Sequence, residues 1–335
     1  MLTSISLIVL GVLLLVLGGE TLLRGAVGLA TLLRLTPAVI GLTVVAAGTS
    51  VPELAVSGVA AYQGKTDIAV SGVAAYQGKT DIAVANVVGS NIFNITVIIG
   101  MCALIRPLAI TGNTIKLEYP VLVIVTLLCL VISNDGEVNR LDAALCLCIY
   151  AGFTAYLVGL VRQQVTAAEA DEFKAEVSEL TTTSVQPHGW ICTALVAAGV
   201  ALLAGGAHTT VTGAVGLARL LGWSERVIGL TIVSAGTGLP EVVASLVSSV
   251  RGRSDVAIGN VIGSNLFNIL GILGLSALAS PLPVPAELIH SDCWWMLAAT
   301  LLLFPIMFTG LRINRWEGGV LLSVYFAYLW ILLTT

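Results

Sequence analysis

The chain has 335 residues, of which 57% are hydrophobic and only 10% charged, with a net charge of −4 and a mean hydropathy of +1.00. Soluble domains carry roughly 25% charged residues, so this chain lacks the polar side chains that coat a water-facing surface. The composition excludes an ordinary soluble enzyme and a disordered protein, and the acidic balance without a basic patch excludes a nucleic-acid partner. Because an apolar helix of about 20 residues spans a bilayer, the length predicts an all-α polytopic membrane protein with about ten transmembrane helices.

Ten apolar segments follow one another along the chain, and one long polar stretch, residues 162–188, separates the first five from the second five. The pattern predicts a first five-helix repeat at 1–161, a linker at 162–188 and a second five-helix repeat at 189–335. The ten segments are 3–24, 36–61, 84–105, 117–133, 141–161, 189–210, 226–250, 256–279, 292–310 and 317–333.

The lysines and arginines predict the orientation, because cytoplasmic loops are enriched in them. If the N-terminus lies outside and ten spans follow, ten of these residues fall on the inner side and five on the outer side. This bias predicts a multi-pass protein of the cell (inner) membrane, with both termini outside and the linker at 162–188 in the cytoplasm.

The two halves of the chain resemble each other. Residues 38–57 and 226–245 match at 12 of 20 positions with an offset of 188. Further along, ANVVGSNIFNI (85–95) matches GNVIGSNLFNI (259–269) with an offset of 174. Since each half carries an odd number of spans, the second half is expected to lie upside down relative to the first, as in inverted-repeat transporters.

A tandem copy explains why the offset falls by 14. The segment VSGVAAYQGKTDIA occurs at 56–69 and again, unchanged, at 70–83. Its apolar part, Ile68–Tyr76, has nine residues, which is under half of a spanning helix. We interpret the copy as an accidental duplication rather than an evolved regulatory insertion. We expect the outer end of span 2 to accommodate it, as a helix extension or a loop, without a change of topology.

Two acidic residues lie in the middle of apolar segments. Glu53 occurs in GTSVPEL and Glu241 in GTGLPEV, at matched positions of the two repeats. A carboxylate at bilayer depth is costly, so it indicates a functional site by default. Two such groups meeting near the midplane would repel each other unless a cation lay between them, and hard cations such as Ca²⁺ prefer oxygen ligands.

The residues around each glutamate predict a broken helix. Pro52 and Pro240 lack a backbone N–H, and Gly48 and Gly236 permit unusual backbone angles. Irregular backbone at membrane depth is tolerated where it lines a cavity, and the carbonyls that a break would free are good cation ligands. Those carbonyls lie near Ala46, Thr49, Ser234 and Thr237. The candidate hydroxyl ligands are those of Thr49, Ser50 and Thr237.

A second motif, GSNIFN at 89–94 and GSNLFN at 263–268, supplies neutral oxygens. Its serine and its last asparagine are four residues apart, hence on one helical face, and the intervening asparagine, Asn91 or Asn265, lies about 100° away. Small residues with polar side chains also promote plain helix packing in membranes. Beside the two glutamates, however, the motif favours an ion site of net charge −2, which one Ca²⁺ or two Na⁺ would neutralise. Its candidate ligands are Ser90, Asn94, Ser264 and Asn268.

These four motifs resemble the signature repeats of the calcium/cation antiporter superfamily, in particular the prokaryotic calcium/sodium antiporters. The resemblance covers nearly the whole chain. It implies an alternating-access exchanger of Ca²⁺ for Na⁺ or H⁺, in which Glu53 and Glu241 bind Ca²⁺ and share in Na⁺ sites. It also implies that spans 1 and 6 slide over the other helices. The ligand positions it implies are Thr49, Ser50, Thr237, Ser90, Asn94, Ser264 and Asn268.

Two positions depart from the pattern of that superfamily. Gly238 stands where the pattern has serine, so one hydroxyl ligand is missing from the second half. Position 268 is Asn where some members carry Asp, which removes a titratable carboxylate and leaves the stoichiometry and any proton coupling open. The tandem copy lies between Glu53 and Ser90, so a displaced third span would disrupt the first half of the site.

The same residues are compatible with other functions. A cation channel, or another cation/proton exchanger, could use the same oxygen-lined path, although inverted repeats with broken helices favour alternating access. An intramembrane enzyme is disfavoured because no zinc motif or Ser/Lys dyad is present and the three histidines are scattered. No bound cofactor is expected, and the predicted partners are Ca²⁺, Na⁺ and the lipid bilayer.

Overall fold

The structure is a computed structural model that describes residues 1–33, 35–55, 57, 82–112, 114–164, 189–222 and 234–334. It is an all-helical polytopic fold, in which seven of the described helices are long and apolar enough to cross a membrane. Two shorter apolar helices, Ala38–Thr49 and Leu239–Val250, carry parts of the glutamate motifs, and Glu53 follows the first of them. Most of the tandem segment and of the linker lies outside the described residues, as does the way in which the extra copy is accommodated.

The first half begins with one long helix and continues through helices that change pitch. The broken second span joins α2 to α3 by a π-helical turn, Gly41–Val45, and restarts at 51–55, which is α4. A second π-helical turn, Asn94–Ile98, joins α5 to α6, and a third, Thr114–Glu118, precedes α7. The α-helices are α1 (Leu2–Leu33), α2 (Pro37–Ile40), α3 (Ala46–Thr49), α4, α5 (Ile82–Phe93), α6 (Ile99–Ile105), α7 (Tyr119–Ser133) and α8 (Arg140–Gln164).

The second half repeats this order. A π-helical turn, Phe267–Leu273, joins α12 to α13, and another, Leu288–Asp292, precedes α14. The α-helices are α9 (Gly189–Leu220), α10 (Ser234–Thr237), α11 (Leu239–Val250), α12 (Ser254–Leu266), α13 (Gly274–Ala279), α14 (Cys293–Phe308) and α15 (Arg315–Thr334). The described helices fall within or overlap the predicted spans, but α1 and α9 extend beyond the predicted ends at residues 24 and 210.

Two short strand pairs connect the halves. β1 (Leu108–Ala109) pairs antiparallel with β4 (Arg312–Ile313), and β2 (Glu137–Val138) pairs antiparallel with β3 (Leu282–Pro283). β1 and β3 follow matching helices in the two halves, as do β2 and β4. Each pair therefore takes one strand from each half, and the two pairs are reciprocal.

The aromatic contacts across the halves are reciprocal as well. The rings of Phe93 and Tyr325 lie 5.6 Å apart, and those of Tyr150 and Phe267 also lie 5.6 Å apart. Phe93 and Phe267 occupy the same place in the two GSN motifs. The same side chains thus serve the same packing role in both halves.

The long helices α1 and α9 run antiparallel in backbone contact. A Cβ placed on Gly18 would lie 2.8 Å from Leu203 N, and one on Gly206 would lie 2.8 Å from Leu15 N. Only glycine permits so close an approach, as small residues do between membrane helices. The glycines recur every seven residues on both helices, at Gly11, Gly18 and Gly25 and at Gly199, Gly206 and Gly213.

Burial separates the centre of the molecule from its outer helices. α12 is buried along its whole length, whereas α1 exposes a row of large apolar side chains. Exposed apolar faces of this kind suit the hydrocarbon core of a bilayer rather than water. The helices that carry the GSN motifs are therefore central, and α1, α8 and α9 lie toward the periphery. The exposed row on α1 includes Val9, Leu10, Leu13, Val16 and Leu17.

Candidate functional site

The two glutamates lie just after matched helix breaks. α3 ends at Thr49 and is followed by Ser50, with φ −82° and ψ 12°, whereas α11 begins after Gly238, with φ −81° and ψ 0°. The break is an end and a restart rather than a kink within one helix. Pro240 stands in the first turn of the new helix, where its missing N–H costs nothing. The predicted freeing of the carbonyl of Ala46 is incomplete, because Ser50 N and Thr49 Oγ1 donate to it.

Both carboxylates are withdrawn from solvent. The exposed fraction is 2% for Glu53 and 1% for Glu241. Ser50 Oγ donates a hydrogen bond of 2.8 Å to Glu241 Oε1. This bond joins the glutamate motif of one half to that of the other, so the structure brings the two predicted motifs together. The second oxygen of each carboxylate has no hydrogen-bond partner among the described residues.

Gly238 occupies in the second half the place of Ser50 in the first. A Cβ at this position would lie 3.2 Å from Phe93 Cε1. With no hydroxyl here, Glu53 lacks the counterpart of the bond that Ser50 gives to Glu241. The site is therefore asymmetric at this point, as the departure from the sequence pattern predicted.

A second layer of polar side chains supports the glutamate motifs. Thr49 Oγ1 lies 3.3 Å from Asn260 Oδ1, and Asn260 Nδ2 donates to Ser245 Oγ at 2.9 Å. In the first half, Asn86 Nδ2 donates to Ser57 Oγ at 3.1 Å. The two amide–hydroxyl bonds join equivalent positions of the repeats.

Sequence reasoning missed the two asparagines of this layer, Asn86 and Asn260. Their signal was present, because both stand at the same place in ANVVGSN and GNVIGSN. A polar residue repeated at the same place in two apolar helices indicates a functional position, as the serine and asparagines that follow it do.

The GSN motifs meet at the centre of the fold. Asn94 Nδ2 donates to Asn265 Oδ1, and Asn268 Nδ2 donates to Asn91 Oδ1, both at 3.0 Å. Asn94 begins one π-helical turn and Asn268 lies at the second position of another. Local π-helix is frequent at functional sites. Four buried amides from two halves thus form one cluster.

The remaining predicted ligands differ in their surroundings. Ser264 is buried, and its hydroxyl oxygen has no partner among the described residues. Ser90 and Thr237 are half-buried. The oxygens that are buried and unpartnered within the described ranges belong to both halves. Those in the predicted motifs are Glu53 Oε2, Glu241 Oε2, Ser264 Oγ and Asn268 Oδ1, and four others lie outside the motifs, on Glu118, Ser133, Ser249 and Ser276.

The tandem copy does not displace the third span. Although 14 extra residues precede α5, Asn86, Asn91 and Asn94 make the bonds that Asn260, Asn265 and Asn268 make in the other half. The first half of the site therefore keeps its register, and the disruption considered from the sequence is not observed.

Comparisons with known proteins agree with this geometry. The sequence profile of the sodium/calcium exchanger protein family matches residues 3–73, 66–159 and 191–334, and its first two matches overlap inside the tandem segment. A protein named CaxA, from Alkalimonas amylolytica, is 39% identical over the full length of both chains. The sodium/calcium exchanger MaX1 of Methanosarcina acetivorans is 31% identical, with 97% of each chain covered.

A solved structure has the same fold. The sodium-calcium exchanger NCX_Mj, soaked without Na⁺ and Ca²⁺, superposes with a TM-score of 0.80 at 27% identity and covers 99% of each chain. The profile matches most of the sequence, and the relatives match it from end to end. The chain therefore belongs to the sodium/calcium exchanger family of membrane antiporters.

Proposed function

We propose that this protein exchanges Ca²⁺ for Na⁺ across the cell membrane, at one site built from both halves. The observation that carries the proposal is the hydrogen bond from Ser50 to Glu241, which joins two buried glutamate motifs across the halves. Two carboxylates so placed give a charge of −2 that one Ca²⁺ or two Na⁺ would balance. A site that accepts either load, but not both together, couples the two ions.

The ligands are proposed to be side-chain oxygens of the four motifs. Hard cations prefer such carboxylate, hydroxyl and amide oxygens. The unpartnered oxygens of Glu53, Glu241, Ser264 and Asn268 support this assignment, because buried polar atoms normally have a partner. The proposed ligand residues are Glu53, Glu241, Thr49, Ser50, Thr237, Ser90, Asn94, Ser264 and Asn268.

The proposed architecture is ten transmembrane helices in two inverted five-helix repeats, 1–161 and 189–335. The antiparallel contact of α1 with α9 and the reciprocal strand and aromatic pairs support an inverted relation. With the charge bias, we propose that both termini face outward and that the linker at 162–188 is cytoplasmic.

Alternating access would come from movement of α1 and α9 against the central helices. Their mutual contact is a glycine-lined interface, so the two helices move together as one body in this proposal. The ion pair between Glu20 of α1 and Arg251 at the end of α11, at 3.0 Å, joins that body to the centre and would break or re-form during the movement.

Flux measurements in everted membrane vesicles test the proposed exchange. We expect ⁴⁵Ca²⁺ uptake only when Na⁺ is loaded inside, and release when the Na⁺ gradient is reversed. Ca²⁺ uptake that ignores the Na⁺ gradient contradicts the proposal. Step currents in planar bilayers would instead establish a channel.

Deleting residues 70–83 is expected to leave transport intact. The bonds of Asn86, Asn91 and Asn94 show that the third span already keeps the register of its counterpart. The shortened chain should therefore have the same apparent affinity for Ca²⁺, within about twofold, and an equal or higher melting temperature, because a shorter connection costs less entropy. A deletion variant that folds but has lost uptake would mean that the second copy has a role of its own.

Replacing Ser50 with alanine is expected to weaken Ca²⁺ binding. The change removes the donor that orients Glu241, and hydrogen bonds to charged groups contribute about 1.5–3 kcal/mol. We expect the KM for Ca²⁺ to rise roughly 10-fold or more, since about 1.4 kcal/mol corresponds to tenfold. Ser323→Ala, which removes an exposed hydroxyl bonded to Gly319 O, is the control and should be neutral. An unchanged KM in Ser50→Ala would show that the bond does not matter for binding.

A further inference from the structure

Asn91 and Asn265 contact the amides of two proposed ligands, Asn268 and Asn94. An asparagine amide has an oxygen that attracts a cation and an NH₂ group that repels it, and the two ends have nearly the same shape. Asn94 and Asn268 can therefore serve a cation only if something fixes which end faces the ion. Asn91 and Asn265 are buried beside them.

Backbone carbonyls fix the first pair of amides. Asn91 Nδ2 donates to the backbone oxygen of Asn265 at 3.3 Å, and Asn265 Nδ2 donates to the backbone oxygen of Asn91 at 3.3 Å. A carbonyl oxygen can only accept, so the NH₂ end of each of these side chains must face the opposite backbone. Asn91 Nδ2 also lies 3.6 Å from Met296 Sδ, a weak acceptor that favours the same orientation.

The orientation of Asn91 and Asn265 fixes that of the second pair, Asn268 and Asn94. Because the NH₂ group of Asn91 is held by the opposite backbone, its Oδ1 faces Asn268. Asn268 Nδ2 therefore donates to Asn91 Oδ1, at 3.0 Å. Asn265 Oδ1 receives Asn94 Nδ2 in the same way, at 3.0 Å. The oxygen of Asn268 is left free of partners within the described part of the chain, as a ligand oxygen must be.

We propose that Asn91 and Asn265 are positioning residues that orient the amides of Asn268 and Asn94, each in the opposite half, so that oxygen rather than NH₂ faces the cation. This inference rests on the proposed function and adds residues that do not touch the ion. The arrangement is set before an ion arrives, so no reorientation opposes binding. Residues that orient metal ligands typically change metal affinity 10–100-fold when replaced.

A double-mutant cycle tests the proposal, with the Kd for ⁴⁵Ca²⁺ of the purified protein as the readout. We expect Asn91→Leu to raise the Kd about tenfold. In the Asn268→Ala background it should add little, because the amide that it orients is gone. In the Asn94→Ala background it should add its full effect, because Asn265 remains held by the backbone of residue 91. Exchanging the roles, Asn265→Leu should couple to Asn94→Ala and be additive with Asn268→Ala.

The possible outcomes distinguish a failure of this inference from a failure of the proposed function. Equal losses in every background would show a merely structural role and overturn the inference while Ca²⁺ binding stands. A wild-type protein that binds no Ca²⁺ would overturn the proposed function and the inference with it. Thr300→Val removes a buried hydroxyl bonded to Met296 O and controls for the loss of a buried polar group. If the leucine variants do not fold, Asn91→Ala and Asn265→Ala, which add no bulk, give the same cycle.

Discussion

Replacing either Glu53 or Glu241 with glutamine is expected to abolish Na⁺-dependent Ca²⁺ transport. Each change halves the charge of the site, from −2 to −1, while keeping its shape. Removing the carboxylate partner of a buried cation costs about 3–5 kcal/mol, which corresponds to a loss of roughly 10²–10⁴-fold in affinity. The measurement is initial ⁴⁵Ca²⁺ uptake in everted vesicles, normalised to the amount of folded protein.

A matched control exists within the same chain. Glu118 is also buried, with an exposed fraction of 2%, but it stands before α7, outside the motifs. Glu118→Gln should retain transport, since it removes a buried carboxylate without changing the charge of the site. Equal losses in all three variants would attribute the effect to folding, and full activity of either Glu53→Gln or Glu241→Gln would refute the assignment of that residue.

The second large effect is expected at the contact between α1 and α9. In Gly206→Ala the new methyl group would lie 2.8 Å from Leu15 N and 2.9 Å from Gly11 O, so the two backbones must separate. Forcing extra atoms into a well-packed contact typically costs about 1–3 kcal/mol. We expect a melting temperature several degrees lower and reduced transport, measured by thermal unfolding in detergent and by vesicle uptake.

The neighbouring glycine supplies the control for that experiment. A Cβ on Gly205 meets no heavy atom within 4 Å among the described residues, so Gly205→Ala should leave both the melting temperature and transport near the wild-type values. If the two alanine variants behave alike, the close contact of α1 with α9 does not govern stability.

Much of the fold was predictable from the sequence because apolar length and repetition carry strong signals. The order of the spans follows from runs of apolar residues, and the meeting of the two glutamate motifs, seen in the bond from Ser50 to Glu241, follows from their matched positions. The register of α5 could not be predicted from the sequence. Only the contacts of Asn86, Asn91 and Asn94 show that the tandem copy leaves this register unchanged.

Other features have no signal in a single sequence. The π-helical turns, such as Asn94–Ile98, differ from an α-helix by one residue in hydrogen-bond spacing, and no side-chain pattern marks that difference. Strands of two residues, such as β1, are too short for an alternating pattern. The distinction between Asn91, a positioning residue in our proposal, and Asn94, a proposed ligand, depends on which helix lies opposite each face.

The most direct test of the central claim is competition between the two ions for one site. In equilibrium binding to the purified protein, Na⁺ should displace ⁴⁵Ca²⁺ completely, with a Hill coefficient for Na⁺ above one because more than one Na⁺ replaces each Ca²⁺. Ca²⁺ that stays bound at saturating Na⁺, or displacement that persists unchanged when Glu53 and Glu241 are both replaced by glutamine, would contradict a shared site built from the two repeats.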